Sequence, residues 1–329
     1  MSEKLLEIKD LHVHYVSDGE TVRAVNGISF YIERGETLGL VGETGAGKST
    51  TALAILNMLP QYVSRVPQGE ILVDGDNVLT MKPRELQRLR GSKVSMVFQD
   101  PMSSLNPVYQ SWRYKSPKCS KFISGPKGKK ELREMVGKIL EMVGIPAERQ
   151  DEYPHQFSGG MKQRVMIAIA IACQPELLIA DEPTTALDVT IQAQVLDMMQ
   201  ELKDNLDSSI LLITHDLGVV AAFCDRVAIM YAGEIVEQGT LEDIFDTERP
   251  HHPYTIGLFG SIPNLEVKTD RLHPIDGLMP DPTDLPEGCK FNPRCPKSCA
   301  QCQSGPVPVW EDGSHSIMCH LLARKEGEG

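Results

Sequence analysis

The stretch TLGLVGETGAGKST, Thr37 to Thr50, sets an apolar run directly before a glycine-rich turn. The turn itself, Gly42–Ser49, matches G-x-x-x-x-G-K-[ST], and the residues from 50 to 59, TTALAILNML, predict a buried helix. With a strand before and a helix after, glycines leave successive backbone N–H groups free to cradle phosphate oxygens. The positive end of the helix then lies behind them. In that arrangement Lys48 reaches the β- and γ-phosphates and the Ser49 hydroxyl ligates Mg²⁺. The plain alternative is a chance glycine-rich turn. Average residue usage gives an accidental match in a chain this long a probability of about one per cent, and the flanking pattern lowers it further.

A second motif lies downstream. In ELLIADE, from 176 to 182, an apolar run places Asp181 at a strand's C-terminal end, where open α/β sheets bind ligands. Asp181 suits a Mg²⁺ shell and Glu182 suits the orientation and deprotonation of an attacking water. Alone, this could be an acidic strand end capping the next helix; beside a phosphate loop it predicts an NTPase. FSGGMKQR, Phe157 to Arg164, opens another helix on Ser158, Gly159 and Gly160, which offer a hydroxyl and bare backbone N–H groups to a second phosphate-binding surface. The tripeptide is common in loops. Its place after Gly42–Ser49 and just before Asp181 makes it specific.

The rest of the chain is consistent with an α/β body. The first forty residues read as short alternating strands, with Leu6, Ile8 and Leu11 among polar neighbours. Helices are expected over PRELQRLR, over 131–144, and from GGMKQRV to the proline at 175. ELLIADE and SSILLITHD look like buried parallel strands with a helix between them. After about residue 245 prolines crowd in, which predicts turns and a separate small module. The expected division is therefore 1–245 and 246–329. At 329 residues, 41% hydrophobic and 24% charged, the chain is of ordinary globular composition. Its net charge of -12 argues against wrapping nucleic acid. MSEKLLEIKD mixes charges from residue 2 and lacks an apolar core, so no secretory leader is expected. The longest apolar run, Val165 to Cys173, is too short to span a bilayer. A soluble or peripheral protein in a reducing compartment is the expectation, and there clustered cysteines suggest metal or redox chemistry.

In order and spacing these motifs resemble the ATP-binding subunits of ABC transporters, over residues 1 to about 245. The resemblance implies a P-loop NTPase fold of ABC type with an antiparallel β subdomain and a helical subdomain at roughly 101–170. It implies that Gly42, Glu43, Thr44, Gly45, Ala46, Gly47, Lys48, Ser49 and Thr50 contact ATP. Tyr15 takes the place of the adenine-stacking aromatic, and Gln99 in VFQDP that of the glutamine touching Mg²⁺ and water. Asp188 in TTALD matches the loop that crosses the dimer interface, and His215 in LLITHD the γ-phosphate switch. Each has a bland counterpart: a core tyrosine, a surface glutamine, a helix-capping aspartate, a satisfied histidine. In the family two such chains pair head to tail. Each ATP is clamped between one chain's Gly42–Thr50 loop and the other's SGG turn, with Ser49, Gln99 and Asp181 around Mg²⁺ and Glu182 as base.

VFQDPMSSLNPVY, YPHQFSGGMKQRVMIAIA, HHPYTIGLFGSIP and PIDGLMPDPTDLPEGCKFNPRC look like the subgroup that energises uptake of dipeptides and oligopeptides, with nickel importers close by. The partners this implies are a second ATPase subunit, paralogue or self, two membrane permeases, and indirectly an extracellular binding protein. The location implied is the cytoplasmic face of the membrane. One stretch departs from the subgroup. Residues 110–130 read QSWRYKSPKCSKFISGPKGKK, where prolines break the expected helix, and residues 113–134 hold eight basic residues and two acidic ones. A solvated basic loop is expected there, with contact to anionic headgroups the alternative.

The tail carries Cys289, Cys295, Cys299 and Cys302 within fourteen residues, and Cys319 beyond them. Zinc sites favour two close pairs, and only Cys299 and Cys302 form one. Four thiolates around an iron–sulfur cluster tolerate irregular spacing. The subgroup's pattern, Cys-x₅-Cys-x₆-Cys and a distant Cys, is met by Cys289, Cys295, Cys302 and Cys319, with Cys299 in excess. A structural [4Fe–4S] cluster is the first reading, zinc the second and free thiols the third. Two other function classes compete with an import ATPase. A soluble ABC-type ATPase would usually carry coiled-coil insertions or two cassettes in one chain, and an electron-transfer protein would leave the ATPase motifs unexplained.

Overall fold

The structure, a computed structural model, describes residues 3–99, 105, 129–185, 188–261 and 275–323. The 110–130 segment thus lies almost wholly outside the described residues, as does most of the first half of the expected helical subdomain. The strands are β1 (Lys4–Ser17), β2 (Glu20–Glu33), β3 (Thr37–Val41), β4 (Ser64–Val73), β5 (Asp76–Asn77), β6 (Val94–Val97), β7 (Leu177–Asp181), β8 (Ser209–Thr214), β9 (Arg226–Tyr231), β10 (Glu234–Thr240), β11 (Val309–Asp312) and β12 (His315–Met318). The α-helices are α1 (Lys48–Ile55), α2 (Pro83–Arg88), α3 (Lys129–Met142), α4 (Gly159–Ile171), α5 (Val189–Leu206), α6 (Leu217–Phe223), α7 (Leu241–Phe245), α8 (Pro253–Gly260) and α9 (His320–Ala323). They divide into two compact units, one made of Met1–Leu6, Ile32–Thr37 and Val73–Ile213, the other of Glu7–Tyr31, Leu38–Leu72 and Thr214–Gly329.

In the first unit β6, β7 and β8 run parallel, with Val94 opposite Leu177 and Leu177 opposite Ser209. Every residue of β7 and β8 is buried, as a parallel strand covered on both faces requires. Val165, Ile167 and Ala168 of α4 and Val195, Met198, Met199 and Leu202 of α5 are buried in the same unit. This register brings Asp181 to the last position of β7.

In the second unit β3 runs parallel to β9, from Leu38 opposite Arg226 to Val41 opposite Ile229. β9 pairs antiparallel with β10, β10 with β12 and β12 with β11. β3 is buried throughout and ends where the glycine-rich turn begins. Helix α1 stops at Ile55, short of the expected 59. Asn57 takes a left-handed φ of 49°, and Met58 N donates to Leu53 O at 2.8 Å, which closes the helix.

The first forty residues form two fourteen-residue strands rather than several short ones. The buried positions of β1 shift phase, from Leu6 and Ile8 to Leu11 and Val13, and Asp10 with a φ of 46° absorbs the shift. A one-residue phase change looks like a strand break in the sequence, while the chain continues through it. β1 and β2 are joined at Asp18–Gly19, both with positive φ, as a two-residue hairpin turn demands. Among the described residues no helix is long and apolar enough to cross a membrane.

Candidate nucleotide site and cysteine-rich tail

In the second unit, Gly42–Ser49 joins the end of β3 to the start of α1. Gly45 and Gly47 have φ of 87° and 105°, values open to glycine and strained for other residues. A Cβ at Gly42 would overlap Met230 O, and one at Gly47 would overlap Ala24 O. The loop therefore follows the backbone of its neighbours closely. Lys48 is buried, and its Nζ donates to Gly42 O at 2.6 Å and to Glu43 O at 3.0 Å. Ser49, Thr44 and Gly45 are exposed. Tyr15 OH donates to Thr50 Oγ1 at 3.3 Å. His215 follows β8 directly and is exposed.

The first unit holds the acidic candidates. Asp181 and Glu182 are both buried, and Glu182 has a left-handed φ of 46°, a cost a non-glycine residue bears at few positions. Its N–H donates to Ile213 O at 2.8 Å. Its Oε2 accepts from Gln99 Nε2 at 2.8 Å and from Thr185 Oγ1 at 2.9 Å. The structure thus brings Gln99 and Glu182 together. Ser158 caps α4, its Oγ accepting from Met161 N at 3.4 Å, and Asp188 caps α5, its Oδ1 accepting from Ile191 N at 3.0 Å. These two helix starts are neighbours, since a Cβ at Gly160 would lie 2.7 Å from Ile191 Cγ2. Ser158 and Gly159 are exposed, and nothing lies within 4 Å of where a Gly159 Cβ would sit. Backbone N–H groups at this turn are accessible to an anion.

The tail belongs to the second unit and is fastened by polar groups. β12 pairs with β10, Glu237 standing opposite Ile317. Glu237 is buried, and its carboxylate takes four donors: His251 Nδ1 at 2.7 Å, His315 Nε2 at 2.9 Å, His252 N at 2.8 Å and Thr255 Oγ1 at 2.5 Å. Burial alone would raise its pKa, but the hydrogen bonds from His251, His315, Thr255 and His252 hold it at about 2. The bond to Glu237 raises the His251 pKa, whereas burial lowers that of His252 to about 4. Glu237, His251 and His315 are close enough to hold a metal ion. The carboxylate is already taken by four donors, while the other ring nitrogen of His315, Nδ1, is buried with no hydrogen-bond partner among the described residues. Asp243 adds a second fastening, accepting from Ser314 Oγ and Arg249 Nη1, each at 2.6 Å.

Cys289, Cys295, Cys299 and Cys302 lie between these fastenings, and Cys319 follows β12. Cys289, Cys302 and Cys319 are buried, and Cys295 and Cys299 half-buried. Cys289 N donates to Cys302 O at 3.0 Å, and the Cys299 and Cys302 sulfurs are 3.4 Å apart. Burial raises the Cys289 thiol to about 11, and the charges of Cys302 and Cys319 push it the same way. Cys319 is raised too, by burial first and then by Cys295 and Cys302.

Two tail residues hydrogen-bond to the phosphate loop. Arg294 Nη1 donates to Glu43 Oε1 and Oε2 at 3.2 and 3.0 Å, and Glu43 N donates to Tyr254 OH at 3.0 Å. Arg294, Tyr254 and Thr185 carry no sequence expectation. Tyr254 stands in HHPYT, which marked the subgroup without a role, and Arg294 in FNPRC. Their only sequence signal was membership of those segments.

A family model described as "ABC transporter" matches residues 25–185, and one described as "Oligopeptide/dipeptide transporter, C-terminal region" matches residues 236–302. The dipeptide transport ATP-binding protein DppD of Bacillus subtilis is 46% identical over 324 residues, 97% of this chain and 95% of the relative. This chain belongs to the ABC transporter family. It is one of the family's ATPases, in the dipeptide and oligopeptide group. The oligopeptide transport ATP-binding protein AppD of Bacillus subtilis is 44% identical to this ABC ATPase over 329 residues, covering 98% of each chain. A solved ATP-binding cassette, dimeric and in a post-hydrolysis state bound to ADP and Pi, superposes with a TM-score of 0.65 at 26% identity. That match covers 72% of this chain and 98% of the other. The shared fold is thus the ABC cassette.

Proposed function

We propose that this ABC ATPase energises the uptake of dipeptides and oligopeptides across the cytoplasmic membrane, bound peripherally to its cytoplasmic face. The observation that carries the reading is the 46% identity to a dipeptide transport ATP-binding protein along 97% of the chain, tail included. The work is divided among residues in two stages, phosphate binding and water activation. Lys48 and the backbone N–H groups of Gly42–Ser49 bind the phosphates, Thr50 flanks them and Tyr15 stacks on the adenine. Ser49, Gln99 and Asp181 are hard oxygen donors, suited to Mg²⁺, which supplies charge neutralisation at the β- and γ-oxygens. Glu182, held by Gln99 and Thr185, orients the water and takes its proton. His215 senses the γ-phosphate. Ser158, Gly159 and Gly160 act in trans on the ATP of a second subunit, paralogue or self, and Asp188 lies at the interface between the two. Two membrane permeases couple this cycle to transport, fed by an extracellular peptide-binding protein.

The tail is the third element of the reading, a module ordered by a metal centre. Soft sulfur donors, buried or half-buried and raised in pKa as thiols, suit a cationic group that compensates thiolate charge. A tetrahedral zinc about 2.3 Å from each sulfur would set the sulfurs about 3.8 Å apart. Among the described residues no three cysteine sulfurs lie within 4.8 Å of one another. Cys289, Cys295, Cys302 and Cys319 would hold a [4Fe–4S] cluster, which supplies a cross-link between turns that have few aliphatic residues of their own.

The test is uptake of radiolabelled trialanine in cells lacking this chain. The wild-type chain should restore it and Lys48→Ala should not. Unchanged trialanine uptake on deletion, with loss of nickel uptake, would move the cargo from peptide to metal.

A further inference from the structure

We propose that Arg294 is a positioning residue for nucleotide binding: it holds and neutralises Glu43, so that the cysteine-bearing turn and the phosphate loop move as one piece. The inference rests on the reading of Gly42–Ser49 as the phosphate loop.

Glu43 is the second residue of that loop, and its backbone and side chain are bound on three sides. Its C=O accepts from Lys48, its N–H donates to Tyr254, and its carboxylate takes both contacts from Arg294. Two of the three restraints come from residues beyond 245. The glycines that follow supply no side chain to restrain the loop, so these anchors matter there. Arg294 is itself held firmly. Its side chain is 6% exposed, Nε donates to Asp276 O at 2.9 Å and Nη2 to Ile275 O at 3.3 Å. It sits at the end of a short 3₁₀ turn, Asn292–Arg294, immediately before Cys295. Phe291, which precedes that turn, packs against Tyr231 and Tyr254 with ring centroids at 5.1 and 5.4 Å. Whatever orders the cysteine turn therefore orders Arg294, and through it Glu43. The same stretch of tail touches the loop again, since Met279 Sδ lies 3.8 Å from where a Gly45 Cβ would be.

The charge makes this more than an anchor. A carboxylate one residue into a phosphate-binding loop repels the polyanion that the loop is built to hold. Arg294 offsets that charge by presenting one guanidinium nitrogen, Nη1, to both carboxylate oxygens, while its Nε and Nη2 are held by backbone carbonyls. Removing Arg294 both loosens the loop and bares the Glu43 charge. Removing Glu43 loses the tether and leaves the Arg294 cation, which does not repel the polyanion.

The experiment is titration of the full chain with Mg·ATP, by calorimetry, at low and high salt. Arg294→Ala should weaken binding about tenfold at low salt and less at high salt, since screening blunts the bared charge. Glu43→Gln should weaken it about threefold. The double variant should bind like Glu43→Gln alone, tighter than Arg294→Ala, and Arg294→Lys should recover part of the loss. Affinity within twofold of wild type in Arg294→Ala, or a double variant weaker than Arg294→Ala, would overturn the proposal and leave Arg294 a tail anchor only. Should Arg294→Ala not fold, Glu43→Gln decides: unchanged affinity there overturns it. Lys48→Ala is titrated in parallel. If it binds Mg·ATP like wild type, the phosphate-loop reading has failed, independently of Arg294.

Discussion

β7 and β8 are buried at every residue, whereas β11 buries none of its residues fully and β12 hides only His315 and Ile317. The interior of the first pair is aliphatic, with polar Asp181, Ser209 and Thr214 at the strand ends, and its stability comes mainly from the hydrophobic effect. The tail strands are held by a buried carboxylate, three histidines and an aromatic cluster of Tyr231, Tyr254 and Phe291. One region gains stability from area removed from water, the other from satisfied hydrogen bonds around charges that would be costly to leave alone. The difference teaches that two parts of one chain can be equally ordered and yet fail under different insults. Loss of volume threatens the parallel strands, and loss of a proton or donor threatens the tail.

The largest effect should come from Glu182→Gln. ATP hydrolysis should fall about 10²–10⁴-fold while Mg·ATP binding stays near wild type, because only the base is removed. Single-turnover hydrolysis beside equilibrium binding checks this. Near-normal turnover would take the base away from this strand end.

Next in size are two stability losses that set the regions against each other. Ile179→Ala in β7, fully buried, should cost about 2–5 kcal/mol of unfolding free energy in urea. Glu237→Ala should cost about 3–5 kcal/mol, since it strands four donors, two of them imidazoles. The distinction lies in where the chain opens. Trypsin should cut the Glu237→Ala tail first and leave the body, and Ile179→Ala should open the body with it. A Glu237→Ala protein with an intact, protease-resistant tail would erase the contrast.

Serine in place of Cys289, Cys295, Cys302 or Cys319 should each bleach the colour of anaerobically purified protein and speed tail proteolysis, because a hydroxyl replaces a soft ligand poorly. Cys299→Ser should do neither; at saturating Mg·ATP hydrolysis should largely survive in all five variants, while Mg·ATP affinity should fall in the four whose tail loosens, because Arg294 directly precedes Cys295. Stoichiometric zinc without iron by elemental analysis would replace the cluster with a different centre.

The smallest effect is a pH dependence confined to the tail. The His251 pKa is raised, so its contribution is complete below about 6.5 and is lost as pH rises through the higher folded value. The His252 pKa is lowered to about 4, so its contribution is present above 6.5 and lost as pH falls towards 4. Burial raises the Glu234 pKa to about 7; its contribution is present below 4.5 and is lost as pH rises through 7. Protection of the tail from trypsin should be nearly level from about pH 4.5 to 6.5, where the His252 gain offsets the Glu234 loss, and should fall above that range as Glu234 and His251 lose their protons; protection that rises steadily from pH 4 to 9 would remove these groups from the account.

Much of the fold was legible because periodicity and motif coincided. The apolar runs of β7 and β8, and the glycine turn between β3 and α1, each state their structure locally. Legibility failed where the deciding partner is remote. The phase shift at Asp10 hid the length of β1, since alternation must be read through a residue that breaks it. The role of Glu237 in an unremarkable EIVEQGT depends on histidines 14 and 78 residues away, and that of Glu43 on an arginine 251 residues away. Sequence spacing carries no trace of such pairs. Of the candidate site, the loop, strand-end and helix-start residues could be named, while Thr185, Tyr254 and Arg294 could not. Each acts by holding another side chain or backbone group.

The pairing of β12 with β10 also sets the order of events during synthesis. Residues 234–240 leave the ribosome well before 315–318 exist, so the outer edge of β10 stays open while some 75 more residues are made. An open edge strand is a template for pairing with other chains. The body of the nascent chain can be complete while its last strand position is vacant, and every truncated product ending before His315 would keep that vacancy. The cysteine-rich tail is therefore also the piece that covers the β10 edge and leaves the short β11 outermost, and messages or proteases that remove it should yield aggregating protein rather than a soluble ATPase core.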